Sequence, residues 1–410
     1  MGSTAIGQEP GLTVGVEEEF LLADAATGET TARAGAVLAR TRNLPPRSGA
    51  QFHAELLGTQ VEAASAVCTD LATLEHRLAE ARGELAASAR HEGALLISSG
   101  TPPLPGPVPP TSEGERFARI RDLYAGVVRD YEVSGCHVHV GVPDRDTAVA
   151  VVNHLRPWLP TLLAVSANSP YDRGSDTGYA SWRMVQQARF PGAGLPPWFP
   201  SAAAHDRETA RLAECGVVVD PAMSFWLARP SPHLPTVEVR AADAVPTADE
   251  AVLQAALTRG LVRTALADLA AGRPASRAPD DQVGAAAVWA AARYGLAGEG
   301  VHPVEERRVP VARLAAALLD HVAPALEETG DLGRTRELLG RVLRAGTGAD
   351  HQRRAAAGGM RAVVEALAQR TSPNPPSPDP STANGDAAHG GGRMDGIGAG
   401  TAGPSPETAR

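Results

Sequence analysis

Charged side chains at alternating positions of otherwise apolar, strand-like segments restrict this chain more than any other feature. T-V-G-V-E-E-E-F carries Glu17 and Glu19, Q-V-E-A-A-S carries Glu62, C-H-V-H-V-G-V carries His137 and His139, and T-V-E-V-R carries Glu238 and Arg240. A strand sends every second side chain to the same face. Glu17 therefore pairs with Glu19, His137 with His139 and Glu238 with Arg240, while Glu18 and Cys136 point the other way. Ionised groups are almost never buried unless paired or bound to metal. Several such strands in one chain imply a sheet whose inner face is an ionic site. Carboxylates with one or two imidazoles form a ligand set for hard divalent cations, Mg²⁺ or Mn²⁺. Glu17 and Glu19 would stand about 7 Å apart along a strand, a span that reaches two metals roughly 4 Å from one another.

The 410 residues suffice for one large domain or two modest ones. No apolar run is long enough to span a membrane, and the first residues lack the basic start and apolar stretch of a signal peptide. Three scattered cysteines, Cys68, Cys136 and Cys215, form no CxxC and fit a reducing, cytoplasmic setting. A net charge of −9 disfavours nucleic acid as the main partner. The chain contains no lysine, so all 38 of its Lys-plus-Arg residues are arginine. That excludes a Walker A loop, a protein-kinase phosphate site, and Schiff-base or pyridoxal chemistry, each of which needs a lysine. Phosphate handling here has to use arginine, backbone N–H groups and metal ions.

Along the chain, residues 1–11 read as a loose leader, 12–22 as a strand and 51–64 as two strand pieces. Leucines at helical spacing after Asp70, a plausible N-cap, predict a helix to Glu92. A strand over 94–99 gives way to a proline-rich stop until about Glu113, and a helix follows to Val128. After the C-H-V-H-V-G-V strand, Asp146 or Thr147 is expected to cap one long helix reaching Ala167. Residues 168–200 read as an irregular binding loop. Strand-like pieces return at 216–219 and 235–241, and 247–271 and 311–370 read as helical. From 372 to 410 the Pro- and Gly-rich composition cannot form a core and predicts disorder.

Each candidate has a plainer reading. Glu17 to Glu19 would also suit a solvated edge strand. His139 would serve equally as a hydrogen-bonded core histidine. Glu238 with Arg240 would also suit an ordinary ion pair, although the spacing places a cation ligand beside a planar phosphate binder. Arg183, set among Asn168, Tyr179 and Trp182 in the irregular segment, would fix a carboxylate or phosphate, or else sit at the surface. His137 and His139 together also match the H-x-H of a zinc amidohydrolase-like hydrolase, although glutamate-rich strands suit Mg²⁺ better than Zn²⁺. A third reading is a catalytically weakened relative that only binds a metabolite.

Taken in order, G-V-E-E-E-F, C-H-V-H-V-G-V, S-A-N-S-P-Y-D-R-G-S-D-T-G-Y-A-S-W-R, R-F-P-G-A-G-L-P-P and R-P-S-P-H-L-P-T-V-E-V-R-A-A-D-A resemble the glutamate–cysteine ligase type 2 family of carboxylate–amine ligases. The resemblance runs from about Leu12 to Thr371 and includes V-W-A-A-A-R-Y-G-L and G-A-D-H-Q-R-R. It implies an α+β, glutamine-synthetase-like catalytic domain over 12–371, with a curved, mainly antiparallel sheet, the site on its concave face and helices behind. It also implies ATP-dependent amide formation through an acyl phosphate, classically between glutamate and cysteine. Apart from the resemblance, a homodimer would be ordinary for a cytosolic enzyme. Carried over by motif, Glu17, Glu19, Glu62, His137 and Glu238 would hold Mg²⁺. Arg240 would face the transferred phosphoryl group of ATP. Arg183, with Tyr179 and Asn168, would bind substrate. The chain departs from the family pattern at Trp226-Leu227, where Trp-Asp is expected. It departs again at Ala286-Ala287 in place of Glu-Asn and at Pro102-Pro103 in place of His-Pro. These changes bear on substrate identity more than on phosphoryl transfer.

Overall fold

The structure is a computed structural model that describes residues 9–44, 47–220 and 223–372. The expected leader lies outside the described residues up to residue 8, and the expected disordered tail lies outside them beyond residue 372. Residues 9–11 are tied down rather than loose. Gly11 N–H donates to the Gly141 carbonyl at 2.9 Å, and Glu9 pairs with Arg263 at 2.9 Å.

The strands are β1 (Val14–Asp24), β2 (Gln51–Ala54), β3 (Gln60–Ala64), β4 (Ala94–Ile97) and β5 (Gly135–Gly141). A small hairpin, β6 (Tyr171–Asp172) and β7 (Ser175–Asp176), precedes β8 (Ala228–Pro230) and β9 (Thr236–Asp243). A second hairpin pairs β10 (Glu299–His302) with β11 (Arg307–Pro310). The first half of the chain contributes helices α1 (Ala34–Arg42), α2 (Leu71–His91), α3 (Glu115–Tyr124), α4 (Arg145–Leu155), α5 (Leu159–Ser166) and α6 (Trp182–Gln187). α7 (Ala202–Glu214), α8 (Ala248–Ala270) and α9 (Asp281–Tyr294) follow. The chain then runs through α10 (Val311–Glu328), α11 (Leu332–Ala345), α12 (Gly348–Ala355) and α13 (Met360–Thr371).

One seven-stranded sheet carries the architecture, in the order β2-β3-β1-β5-β9-β8, with β4 joining the far end of β1. Every pairing in it is antiparallel. The two faces differ as the alternation requires. Val14, Val16, Val138, Val140, Val237 and Val239 share one buried cluster with residues of α2, α5 and α8, so the helices cover that face. Glu17, Glu19, Glu62, His137, His139, Glu238 and Arg240 line a cleft on the other. The chain is therefore α+β, with helices packed behind a mainly antiparallel sheet.

The Asp70 cap holds, its side chain accepting from Thr73 N–H at 2.8 Å. Other expectations are corrected in detail. The long helix after β5 begins after Asp144, which accepts from Thr147 N–H. It is also split into α4 and α5, because Pro157 supplies no N–H to continue the ladder. Residues 216–219 form turns, not a strand. The irregular segment contains the β6–β7 hairpin and α6, capped by Ser181 on Met184 N–H. Breaks at Gly330, Gly346 and Gly359, all at positive φ, divide 311–370 into four helices, since only glycine enters that region without strain.

Candidate active site

The cleft has a volume of about 740 Å³. Its floor is assembled by register: Glu19 stands opposite Glu62, Glu17 opposite His137, and Glu238 opposite His139 on one side and Arg229 on the other. Neighbouring strands thus bring together side chains far apart in sequence. Two groups of donors result: Glu17, His137 and Glu238, and beside them Glu19, Glu55 and Glu62. In each group one ligand atom per residue lies within 4.8 Å of the others. All five carryover metal candidates fall in these groups.

Between Val138, opposite Val239, and Cys136, opposite Ala242, β9 contains one extra residue. This bulge sets Arg240 and Ala241 against His137. Arg240 Nη1 lies 3.4 Å from His137 Nδ1 and closes on the Glu238 carboxylate. Arg229 grips the same carboxylate, Nε to Oε2 at 2.8 Å and Nη2 to Oε1 at 3.2 Å. Burial by itself raises the Glu238 carboxyl, but the two guanidinium charges outweigh it and hold the group well below the usual range. Burial also opposes ionisation of Glu17, and hydrogen bonds with His137 and His139 overturn it, leaving that carboxyl low. His137 Nδ1 lies 3.5 Å from Glu17 Oε2, and His139 Nε2 lies 3.3 Å from Glu17 Oε1. His139 is further oriented by Thr236 Oγ1, 3.0 Å from its Nδ1.

The other group has the opposite character. Burial and the neighbouring Glu19 charge push Glu55 up to about 8. Burial, then Glu55, Glu17 and Glu19, drive Glu62 well above the ordinary carboxylate range. Burial and the like charges outweigh the Arg240 charge that also reaches Glu55. A hard divalent ion supplies the missing charge, and the donors fit one: carboxylate oxygens plus an imidazole. Nε2 of His137 is also buried without a hydrogen-bond partner.

Glu55 was missed because it follows β2 directly. Its signal is the alternation Gln51, His53, Glu55 in Q-F-H-A-E; all three line the cleft. Arg229 was missed because a three-residue edge strand is too short to show a period.

The remaining candidates lie elsewhere. Arg183 is buried behind His137 rather than lining the cleft. Its Nη2 donates to the Arg240 carbonyl at 3.3 Å, its Nη1 is 3.9 Å from Asp243, and its Nε and Nη1 have no hydrogen-bond partner. Asn168 is fully buried and structural in its contacts, its amide donating to the Ser98 and Ala244 carbonyls at 2.9 and 2.7 Å. Tyr179 borders a second cavity, where its hydroxyl accepts from Trp289 Nε1 at 3.2 Å. Neither Asn168 nor Tyr179 reaches the carboxylates, so the substrate grouping drawn from sequence is not assembled in the cleft. Of the sequence departures, Leu227 is fully buried in the main core and Ala287 is buried on α9. Neither lines the cleft.

Known structures share this antiparallel sheet backed by helices. The structure matches a glutamate–cysteine ligase from Francisella tularensis, solved in complex with AMP, with a TM-score of 0.65 over 89% of each chain at 12% identity. It also matches a bifunctional glutathione synthetase from Pasteurella multocida, with a TM-score of 0.63 over 88% of this chain and 52% of that one at 13% identity. Residues 13–366 match the model of glutamate-cysteine ligase family 2, and the chain belongs to that family. It is 59% identical over 365 residues (88% of this chain, 93% of the other) to a Saccharopolyspora erythraea protein provisionally named glutamate--cysteine ligase 2-2. A Nocardia farcinica protein, provisionally named glutamate--cysteine ligase 2-1, is 44% identical over 84% of this chain and 88% of its own. The protein is thus a glutamate–cysteine ligase-like carboxylate–amine ligase acting on small molecules. No helix among the described residues is long and apolar enough to cross a membrane.

Proposed function

We propose that residues 12–371 join a glutamate-like carboxylate to an amine, using ATP and forming an acyl phosphate. The observation that carries this reading is the asymmetry of the cleft floor: uncompensated carboxylates at Glu19, Glu55 and Glu62, next to a carboxylate, Glu238, clamped by Arg229 and Arg240. Glu19, Glu55, Glu62, Glu17, His137 and Glu238 would hold Mg²⁺, or Mn²⁺. Such ions neutralise phosphate oxygens and charge developing in phosphoryl transfer.

The protein's own groups do the rest. A substrate carboxylate oxygen attacks the γ-phosphorus, the bond to the β-γ bridging oxygen breaks, and ADP departs. Arg240 offers a planar guanidinium for the transferred phosphoryl oxygens, a task no lysine is available to share. Glu238 and the Ala241–Arg240 bulge fix where that guanidinium points. The amine then attacks the acyl carbon, phosphate leaves, and the amine proton passes to solvent. Arg183 holds the floor from behind, through the Arg240 carbonyl and Asp243. Phe117, Tyr131, Phe190 and Phe225 also line the cleft, and such apolar walls would limit water at the acyl phosphate.

The decisive assay supplies ATP, Mg²⁺, glutamate and a panel of amines, and measures nucleotide and amide products. ADP, phosphate and a γ-glutamyl amide are expected, and hydroxylamine should trap a hydroxamate. AMP with pyrophosphate would point to an adenylate instead, and failure of every carboxylate–amine pair to release ADP would sink the reading.

A further inference from the structure

Two tyrosines clasp one ring at the aromatic side of the cleft. Tyr124 meets Phe190 edge-on, with ring centroids 4.9 Å apart at 88°, and Tyr131 meets it at 4.8 Å and 73°. Phe190 is stacked in turn on Phe225 at 4.2 Å. The two tyrosines are thus held alike by their rings, but their hydroxyls differ. The Tyr124 hydroxyl donates to the Val217 carbonyl at 2.7 Å, which ties α3 to the segment after α7, and Tyr124 does not line the cleft. Tyr131 does line it and is partly exposed. Its hydroxyl has no hydrogen-bond partner among the described residues. An enclosed tyrosine hydroxyl usually has a partner, so the open one on the cleft side asks for a ligand oxygen.

The charges around Tyr131 show which way its tip points. Burial pushes the phenol well above its ordinary value, and the charges that act on it are those of Arg183, Glu19, Arg240 and Arg189. Glu19 and Arg240 line the cleft floor, so the hydroxyl end faces the floor while the ring is fixed at the wall. A phenol that keeps its proton at neutral pH is a donor. In the proposed reaction the phosphoryl oxygens already have Arg240 and metal ions. The acyl oxygen, beside the phosphoryl group, has no donor assigned.

We propose that Tyr131 is a catalytic residue of amide formation, its O–H donating to the acyl oxygen as the amine attacks. The assignment rests on the ligase reading. The amine nitrogen bonds to the acyl carbon, the carbonyl electron pair moves onto the acyl oxygen, and Tyr131 holds that oxyanion without giving up its proton. Collapse restores the carbonyl, breaks the bond from carbon to the phosphate oxygen and releases phosphate, and the amine proton goes to solvent. A donor aimed at charge that appears only in the transition state lowers the barrier selectively.

Tyr131→Phe removes one oxygen and keeps the ring. Rapid-quench turnover with ATP, Mg²⁺, glutamate and the amine that gives the fastest ADP release measures ADP and amide separately. Amide formation should slow about 100-fold, the cost of one oxyanion donor, while the first equivalent of ADP forms within about twofold of the unsubstituted rate. A burst of ADP then precedes the amide. Tyr124→Phe is the control: it should lower the melting temperature and leave both rates unchanged, whereas Tyr131→Phe should melt as the unsubstituted protein does. ADP and amide slowing together would assign the hydroxyl to phosphoryl transfer or binding, unchanged rates would leave it no role, and a lower melting temperature for Tyr131→Phe would make it structural. Each of these overturns the proposal. An unsubstituted protein that releases no ADP with any carboxylate–amine pair would instead sink the ligase reading itself.

Discussion

Glu18 and Glu19 are chain neighbours whose carboxylates serve opposite sides of the sheet. Glu18 is buried on the helix side, where Arg82 holds it with two hydrogen bonds of 3.1 and 2.6 Å; both side chains are almost wholly enclosed. Glu19 faces the cleft and accepts from Gly135 N–H at 2.7 Å. Substitution should separate them cleanly. Glu19→Ala and Glu238→Ala are expected to lower kcat by at least about 100-fold with the fold retained, because phosphate charge is left uncompensated. Glu18→Ala should instead lose roughly 3–5 kcal/mol of stability, since an unpaired guanidinium remains buried. Urea denaturation beside ADP-release kinetics checks both. A Glu18→Ala protein of normal stability and no activity would show that the strand register is off by one. Alternation made this division legible in the sequence. It did not reveal the depth at which Glu18 is buried, because Arg82 comes from a helix whose packing direction no local pattern states.

Elements place these residues to within a fraction of an ångström, and two of them make that dependence measurable. Gly135 opens β5 where a side chain would collide: a Cβ there would lie 2.6 Å from Arg183 Nη2 and 3.0 Å from His137 Nε2. Gly135→Ala should therefore displace the imidazole. An activity loss of about 10- to 100-fold is expected, since small misplacements near the chemistry have costs of that order, with a circular dichroism spectrum like that of the unsubstituted protein. Unchanged kinetics would mean that the exact placement of His137 does not limit the reaction. The bulge that aims Arg240 was illegible in T-V-E-V-R, because an extra residue in one strand appears only against its partner. On α12, burial and then the Arg370 and Arg354 charges push His351 down to about 4. A histidine held low binds its proton more readily when unfolded, so its contribution to stability is complete above about 6.5 and is lost as pH falls from there toward 4. Solvent screens this partly exposed group, so between pH 7.5 and 5 the change should stay below about 1 kcal/mol. His351→Gln should flatten that part of the pH–stability curve relative to the unsubstituted protein in urea melts. Parallel curves would show that His351 does not titrate in the folded state as its surroundings require.

For the whole molecule, the ionic face and its strands were readable in the sequence, because one buried face forces a period of two that few other structures share. The long helices α2, α8 and α10, of 21, 23 and 18 residues, were readable because their apolar residues recur over many turns. α1, α7 and α9, of 9, 13 and 14 residues, were not, because they give the period fewer turns in which to show itself. Their positions are set by what they pack on. The same reasoning applies to the end of α13. Thr371 is buried, its Oγ1 accepts from Ser98 N–H at 2.8 Å, and its carbonyl accepts from Arg82 at 3.3 Å. The end of α13 is thereby joined to the partner of Glu18. Val363, Val364 and Leu367 of α13 pack with Leu21, Ala23 and Ile97 of the sheet, an apolar contribution of about 1.5–3 kcal/mol for each side chain. We propose that residues 373–410 are dispensable to the body, since their composition, P-N-P-P-S-P-D-P followed by a glycine-rich run, carries little apolar area. A chain ending at Ser372 should therefore melt within about 1 °C of the full-length protein and release ADP at the same rate. A chain ending at Gly359 should fail to fold or lose its melting transition, with the Arg82–Glu18 pair opened from behind. Differential scanning calorimetry of the two truncations decides the matter. A fall of more than about 5 °C for the longer one, the scale of a kilocalorie or more in a domain of this size, would mean that residues beyond 372 bind the body and belong to the functional unit.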